Sequence, residues 1–236
     1  MNNTSYIKYD IANDVEVLTI TRLNGFSTGK YLSNNFSYDV KDSKKKVEKN
    51  YDLLYKRFNV DSNKLTILNQ DNCPVYPIIY AKDKEAIVAV LHSDTVPLMF
   101  CDAKKGLFGA LQVTNFGSKS HIVKETIGIL LKKEKINPHD LMVYLAPSLT
   151  FSHNIISKKE AKKLIKQGFL RSIKRTSGEY FFDERFNALC DLRKLKIPMA
   201  NIIQSPYCTY ENNDLLFSKK ILKKTGKNIT IIRFVK

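Results

Sequence analysis

The chain has 236 residues, 43% hydrophobic and 26% charged, which is enough apolar material for one large domain with a substantial core. Its net charge of +16 invites a nucleic-acid reading, but the lysines are interleaved with acids along the whole length, so a solvated lysine-rich surface is the stronger expectation and nucleic acid is not an expected partner. The polar first ten residues lack the apolar core of a secretory signal and no apolar run is long enough to span a bilayer, so a cytoplasmic protein is expected.

Residues 15–21 alternate and are rich in β-branched side chains, which predicts an early strand. A Gly/Ser/Asn loop over 24–37 follows. The next segment, 43–57, predicts a helix with Val47, Tyr51, Leu54 and Phe58 on one face. Short apolar runs at 65–68, 75–80, 87–91, 98–101 and 107–113 read as a succession of strands. Beyond Gly117 the period changes, and Val123, Ile127, Leu130 and Leu131 form a helical stripe that ends near Asn137-Pro138. A short buried strand is expected at 141–145.

Ser157-Lys158-Lys159-Glu160 has the form of a capping box, opening a helix that runs to about Gly168. Phe182, Phe186, Leu189 and Cys190 make one more helical face, and 201–204 and 228–235 are expected as closing strands. Strands and helices mix without a strict βαβ alternation. The expected fold class is therefore α+β, with mixed β-sheets packed with helices in a single domain over 1–236.

Cys73, Cys101, Cys190 and Cys208 are scattered with no Cys-x-x-Cys pair, so reduced thiols are expected. His121, His139 and His153 are isolated and receive no role. No Walker-type loop, Gly-x-Ser-x-Gly elbow or dinucleotide fingerprint is present.

Three segments carry the chemistry that can be read: Leu68-Asn69-Gln70-Asp71-Asn72, Leu91-His92-Ser93-Asp94-Thr95-Val96-Pro97, and Gly109-Ala110-Leu111-Gln112-Val113-Thr114-Asn115-Phe116-Gly117-Ser118. In order and framing they resemble the motifs of the laccase-domain family, also called polyphenol-oxidase-like and linked to purine nucleoside phosphorolysis. Those motifs read Gln-Val-His-Gly, Ala-Asp-Cys-x-Pro and His-Ala-Gly-Trp-Arg-Gly, and the resemblance implies that their His, Cys and His hold one zinc ion. Aligned on this chain, the three ligands fall on Asp71, Thr95 and Gln112, while Asp94 is kept. The Trp and Arg of the third motif are replaced by Asn115 and Phe116. Further segments extend the similarity from about Thr19 to the C-terminus: Thr21-Arg22-Leu23-Asn24-Gly25-Phe26-Ser27, Tyr31-Leu32-Ser33-Asn34-Asn35, Ala146-Pro147-Ser148-Leu149, Cys208-Thr209, Phe217-Ser218-Lys219-Lys220 and Thr225-Gly226-Lys227.

The resemblance implies the family's α+β fold, phosphorolysis of purine nucleosides and adenosine deamination, with zinc, or for some members copper, as cofactor. The residues argue against the metal. A carboxylate, a hydroxyl and an amide are poor substitutes for imidazole and thiolate, so no metal and no cofactor are expected here. The candidate catalytic residues are Asp71, Asp94, Thr95 and Gln112, and the candidate substrate contacts are Arg22 and Asn35. A site relocated onto Asp71, His92 and Asp94 is conceivable, since His92 and Asp94 would share a strand face. The plainer expectation is that His92 packs against a sheet neighbour and Asp94 bonds loop amides. Arg22, Lys220 and Lys227 are candidate anion contacts, with a plain surface cation the stronger expectation for the two lysines, and Cys208 is expected as a buried, inert thiol.

The favoured function is a degenerate family member kept as a nucleoside-binding or interaction module, with a purine nucleoside or phosphate as ligand. The alternative is an active, metal-independent purine nucleoside phosphorylase. A basic nucleic-acid-associated protein ranks third.

Overall fold

A computed structural model describes residues 5–69, 77–113 and 121–235. The chain opens with strands β1 (Tyr6–Ala12) and β2 (Val15–Ile20), then helix α1 (Lys44–Phe58) and strands β3 (Leu65–Asn69), β4 (Ile78–Ala81), β5 (Ile87–His92), β6 (Val96–Asp102) and β7 (Leu107–Val113). Helix α2 (Ile122–Lys133), β8 (Met142–Leu145), β9 (Ile155–Ile156), α3 (Lys158–Lys166), β10 (Ile173–Thr176) and β11 (Glu179–Phe182) follow. Helix α4 (Glu184–Lys194), β12 (Ile202–Gln204) and β13 (Asn228–Phe234) complete it.

Two five-stranded sheets form the body, in the orders β1-β2-β13-β5-β3 and β12-β8-β6-β7-β4. The pairs β3–β5 and β12–β8 are parallel and the others antiparallel, so both sheets are mixed, as the α+β expectation holds. Val15, Val17, Val88, Val90 and Ile232 of the first sheet pack onto Met99, Cys101, Phe108, Ala110 and Tyr144 of the second. The outer face of the first sheet is covered by Val47, Tyr51 and Leu54 of α1. The outer face of the second is covered by Val123, Ile127, Leu130 and Leu131 of α2 with Ala188 and Leu192 of α4. The result is helix, sheet, sheet, helix. Strands β5, β6 and β7 are buried on both faces, which is why they read as unbroken apolar runs rather than as alternation. At the pair Tyr80–Gly109 the two strands close in so far that a Cβ on Gly109 would lie 2.4 Å from the Ile79 carbonyl oxygen, so this position needs glycine.

The helices begin and end for local reasons. In α3 the Ser157 hydroxyl accepts from the Glu160 N–H at 3.1 Å, the first half of the predicted capping box. Helix α1 stops at Asn59, whose left-handed conformation (φ 50°) lets its N–H bond back to Tyr55 O. Among the described residues no helix is long and apolar enough to cross a membrane.

Several expectations need correction. Strand β1 was not predicted, because an edge strand carrying Lys8 and Asp10 has a weak apolar signature. The three-stranded sheet β10-β11-β9 was missed for a similar reason: its strands are two to four residues long. Phe182 ends β11 instead of opening a helical face. Asp183 then caps α4 by accepting from the Phe186 N–H, and this sets a different register in which Phe186 is exposed while Arg185, Ala188, Asp191 and Leu192 are buried. Residues 75 and 76 of the strand expected over 75–80 lie outside the described residues; the described part begins at Ile78.

Candidate functional site

The three motif segments meet because of the way the chain crosses between the two sheets. Strand β3 runs parallel to β5, with Asn69 opposite Leu91, so both leave the first sheet at the same end. The chain enters the second sheet at β6, where Val96 pairs with Val113 and Pro97 with Gln112. Position 71 follows β3, position 95 lies between β5 and β6, and position 112 is near the end of β7. Other segments arrive at the same end: Ile20 pairs with Ile229 and Asn228 with His92, and the Leu149 N–H donates to Asp94 O at 3.0 Å.

Gln112 is 1% exposed and points between the sheets. Its Nε2 donates to Thr95 Oγ1 and to Leu91 O, each at 3.0 Å. Its Oε1 is buried and has no partner among the described residues. Two of the three positions are therefore joined to each other as hydroxyl and amide. Asp71, the third, lies outside the described residues, as do Cys73, Asn115 and Phe116.

Asp94 stands beyond the last residue of β5, so the strand alternation expected to put it on one face with His92 does not reach it. Its carboxylate ties loops together instead, with Oδ1 accepting from Thr209 Oγ1 at 2.8 Å and Oδ2 from the Lys220 N–H at 3.1 Å. His92 is 1% exposed, and its Nε2 is 2.8 Å from Thr230 Oγ1, which is in turn 2.9 Å from Thr19 Oγ1. This buried polar chain lies under the motif residues. Thr19 and Thr230 carry no sequence signal beyond their strands.

Burial keeps His92 neutral, its pKa pushed down to about 3 from 6.5. The unfolded chain therefore takes up this proton first as pH falls. The contribution of neutral His92 to stability is complete above pH 6.5 and is lost progressively between there and about 3. We expect wild-type stability, measured by urea unfolding, to fall more steeply from pH 6 to pH 4 than that of His92→Asn, by up to about 1.4 kcal/mol per pH unit. Equal slopes would refute this account.

The candidate substrate contacts are also held by the fold. Arg22 donates from Nε to Leu32 O at 2.7 Å and from Nη1 to Asn213 O at 2.9 Å, with its guanidinium 4.6 Å from the Phe217 ring centroid. Asn35 is fully buried: its Nδ2 donates to Ser37 O and Asp42 Oδ2, and its Oδ1 accepts from the N–H groups of Ser37 and Lys227. Lys220 is exposed, as expected. Lys227, expected at the surface, is only 4% exposed, because the Thr225-Gly226-Lys227 turn is packed under Asn35 and Phe217.

Chemically, this end of the molecule offers a buried amide acceptor, a hydroxyl, a carboxylate held by two loops and a partly engaged guanidinium. Two open cavities lined by described residues lie away from this end. One of about 450 Å³ opens at the opposite end of β5, lined by Lys64, Ile87, Arg233 and Phe234. Another, of about 270 Å³, is lined by Thr150, Arg185, Phe186 and Gln204. Neither contains a motif residue, and the motif end is bordered by the residues outside the description.

Residues 16–235 match the family described as multi-copper polyphenol oxidoreductase laccase. A purine nucleoside phosphorylase of Staphylococcus epidermidis is 25% identical, the match covering 98% of this chain and 97% of that one. The purine nucleoside phosphorylase YlmD of Bacillus subtilis is 24% identical over 93% of this chain and 89% of its own length. Among solved structures, YlmD from Geobacillus stearothermophilus superposes with a TM-score of 0.85 at 17% identity, covering 100% of this chain and 98% of that one, which shows a common fold.

Proposed function

Because the chain belongs to the laccase-domain family, we propose that it is a nucleoside-binding member that holds no transition metal at positions 71, 95 and 112. The observation that carries this reading is the hydrogen bond between Gln112 Nε2 and Thr95 Oγ1. A catalytic zinc site needs about three anionic or imidazole donors and leaves one position open. Here one position presents a neutral hydroxyl. Another presents an amide whose nitrogen, the group facing the hydroxyl, is a donor and cannot ligate. The amide oxygen is a weak neutral donor, and of the three residues only Asp71 offers an anionic oxygen. No step through zinc or copper is assigned to this site.

The nucleoside part of the reading rests on relatives named purine nucleoside phosphorylases, which align along nearly their whole length. It is supported by Gln112 Oε1, a buried acceptor that an amino or hydroxyl donor of a nucleoside would satisfy. Thermal-shift measurements with inosine, adenosine and guanosine, each with and without phosphate, test it. At a ligand concentration of a hundred times Kd the fold gains about 2.7 kcal/mol, a clear rise in Tm. The expected result is such a rise with no release of purine base. No shift with any of the three nucleosides would refute the reading.

A second reading, metal-independent phosphorolysis, is favoured by the near full-length similarity to named phosphorylases. Base release above a buffer blank, retained after chelation, would select it; Arg22 would then be the residue to position phosphate. The basic charge is the weakest guide. Lys8, Lys64, Lys82, Lys104 and Lys174 are each paired with an acid, so only weak DNA or RNA binding, abolished by moderate salt, is expected.

A further inference from the structure

Cys208 does not sit alone in the core. An isolated parallel bridge lays it beside Ser148, and the Thr209 N–H donates to Ser148 O at 3.1 Å. The chain after Ser148 makes a tight turn over Phe151–His153, in which the His153 N–H returns to Thr150 O at 3.2 Å. That turn brings the His153 ring back over the Cys208 segment, where it stacks on Tyr210 at 4.2 Å between centroids. Its Nε2 is 2.8 Å from Glu211 Oε1. One donor atom from each of His153, Cys208 and Glu211 thus falls within 4.8 Å of the other two.

We infer that His153, Cys208 and Glu211 form a site for a thiophilic divalent cation of the zinc type. The inference is independent of nucleoside binding and of positions 71, 95 and 112. The donor set is one thiolate, one imidazole and one carboxylate, the combination that suits zinc and cobalt and not magnesium or calcium. Donors about 2.0–2.3 Å from a tetrahedral ion stand roughly 3.3–3.6 Å apart, so the cluster needs only a small rearrangement. Binding breaks the His153–Glu211 hydrogen bond, shifts the imidazole proton from Nε2 to Nδ1, releases the thiol proton to solvent, and forms three metal–ligand bonds, to the imidazole, the thiolate and the carboxylate. With three protein ligands, the fourth position is left to water.

The Cys208 sulfur has polar neighbours. The Thr150 hydroxyl lies 3.1 Å and the Thr150 N–H 3.4 Å from Cys208 Sγ, both as donors, an outer shell of the kind that orients a metal thiolate. Arg185 is buried nearby with four hydrogen bonds, all to neutral oxygens. Glu211 is exposed and gives the ion a way in.

The test is a titration of chelator-stripped, full-length protein with cobalt(II), read by sulfur-to-cobalt charge-transfer absorption in the near ultraviolet, followed by competition with zinc. Wild type is expected to gain a band that saturates at one equivalent and is abolished by zinc. Cys208→Ser should lose the band. His153→Gln and Glu211→Gln, whose side chains are partly exposed and whose folding is not at stake, should each weaken cobalt binding at least about tenfold. Cys73→Ser and Cys190→Ser should keep the band. Absence of a thiolate band in wild type, a band that survives Cys208→Ser, or affinities unmoved by both His153→Gln and Glu211→Gln would overturn the assignment.

Discussion

A Thr95→Cys, Gln112→His double variant, built in a Cys208→Ser background, is expected to copurify with about one zinc ion per chain, where the background alone carries none. The geometry for this is already in place. Positions 95 and 112 face each other across a 3.0 Å contact, and the Leu91 carbonyl already accepts from the side chain at 112. An imidazole at that position can donate its second ring N–H to the same carbonyl, the arrangement that fixes the tautomer of most histidine ligands. A carboxylate from Asp71, which lies outside the described residues, is the third donor that this expectation requires. We expect zinc affinity to rise by at least 10³-fold, about 4 kcal/mol. Elemental analysis after gel filtration, with circular dichroism to confirm folding, measures it. A folded double variant with no zinc would mean that positions 95 and 112 do not converge as a ligand pair, and the reading of the site would fall with it. The Cys208→Ser background keeps this outcome separate from metal bound by the His153 cluster.

The second large effect concerns stability. Arg185 is 8% exposed and ties α4 to two other segments, donating to Ser148 Oγ and Ser148 O at 2.7 Å, Ser205 O at 2.8 Å and Tyr207 O at 2.6 Å. Leucine at this position would take the guanidinium donor from Ser205 O, Tyr207 O and Ser148 Oγ, would leave Ser148 O with only the Thr209 N–H, and would not fill the space of the guanidinium. Removal of the desolvated charge offsets part of the loss. The net cost expected for Arg185→Leu is about 3 to 5 kcal/mol, and Arg185→Lys should recover less than half, because an ammonium cannot reach all four oxygens from one point. Urea unfolding followed by circular dichroism gives both values. A change within about 0.5 kcal/mol of wild type for Arg185→Leu would show that the three segments hold their positions without it.

Much of the body was legible in the sequence. Doubly buried strands such as β5 and β7 announce themselves as apolar runs, and the α2 stripe Val123, Ile127, Leu130 and Leu131 is buried in full. What was not legible follows from the same physics. The strands β9, β10 and β11 are too short for a period to emerge, and α4 buries Arg185 and Asp191 where hydrophobic patterning looks for apolar residues. The site divides in the same way. Family-like motifs led to Thr95 and Gln112, which the fold brings together. No local signal could have joined His153 to Cys208 and Glu211, since a turn and a bridge between distant segments, and not spacing, create their proximity. The commitment of Asn35 to Asp42 and Lys227 is likewise a tertiary fact.

The apolar clusters take in the neighbours Leu91, Val96 and Val113, while Thr95 and Gln112 themselves stand outside all three. A change at Thr95 or Gln112 therefore removes no member of these clusters, and its cost falls on the hydrogen bonds that Gln112 makes to Leu91 O and Thr95. A protein arranged in this way can shed one chemistry and drift toward another by single steps, staying folded throughout. Its family then remains readable in its architecture whatever groups stand at those positions.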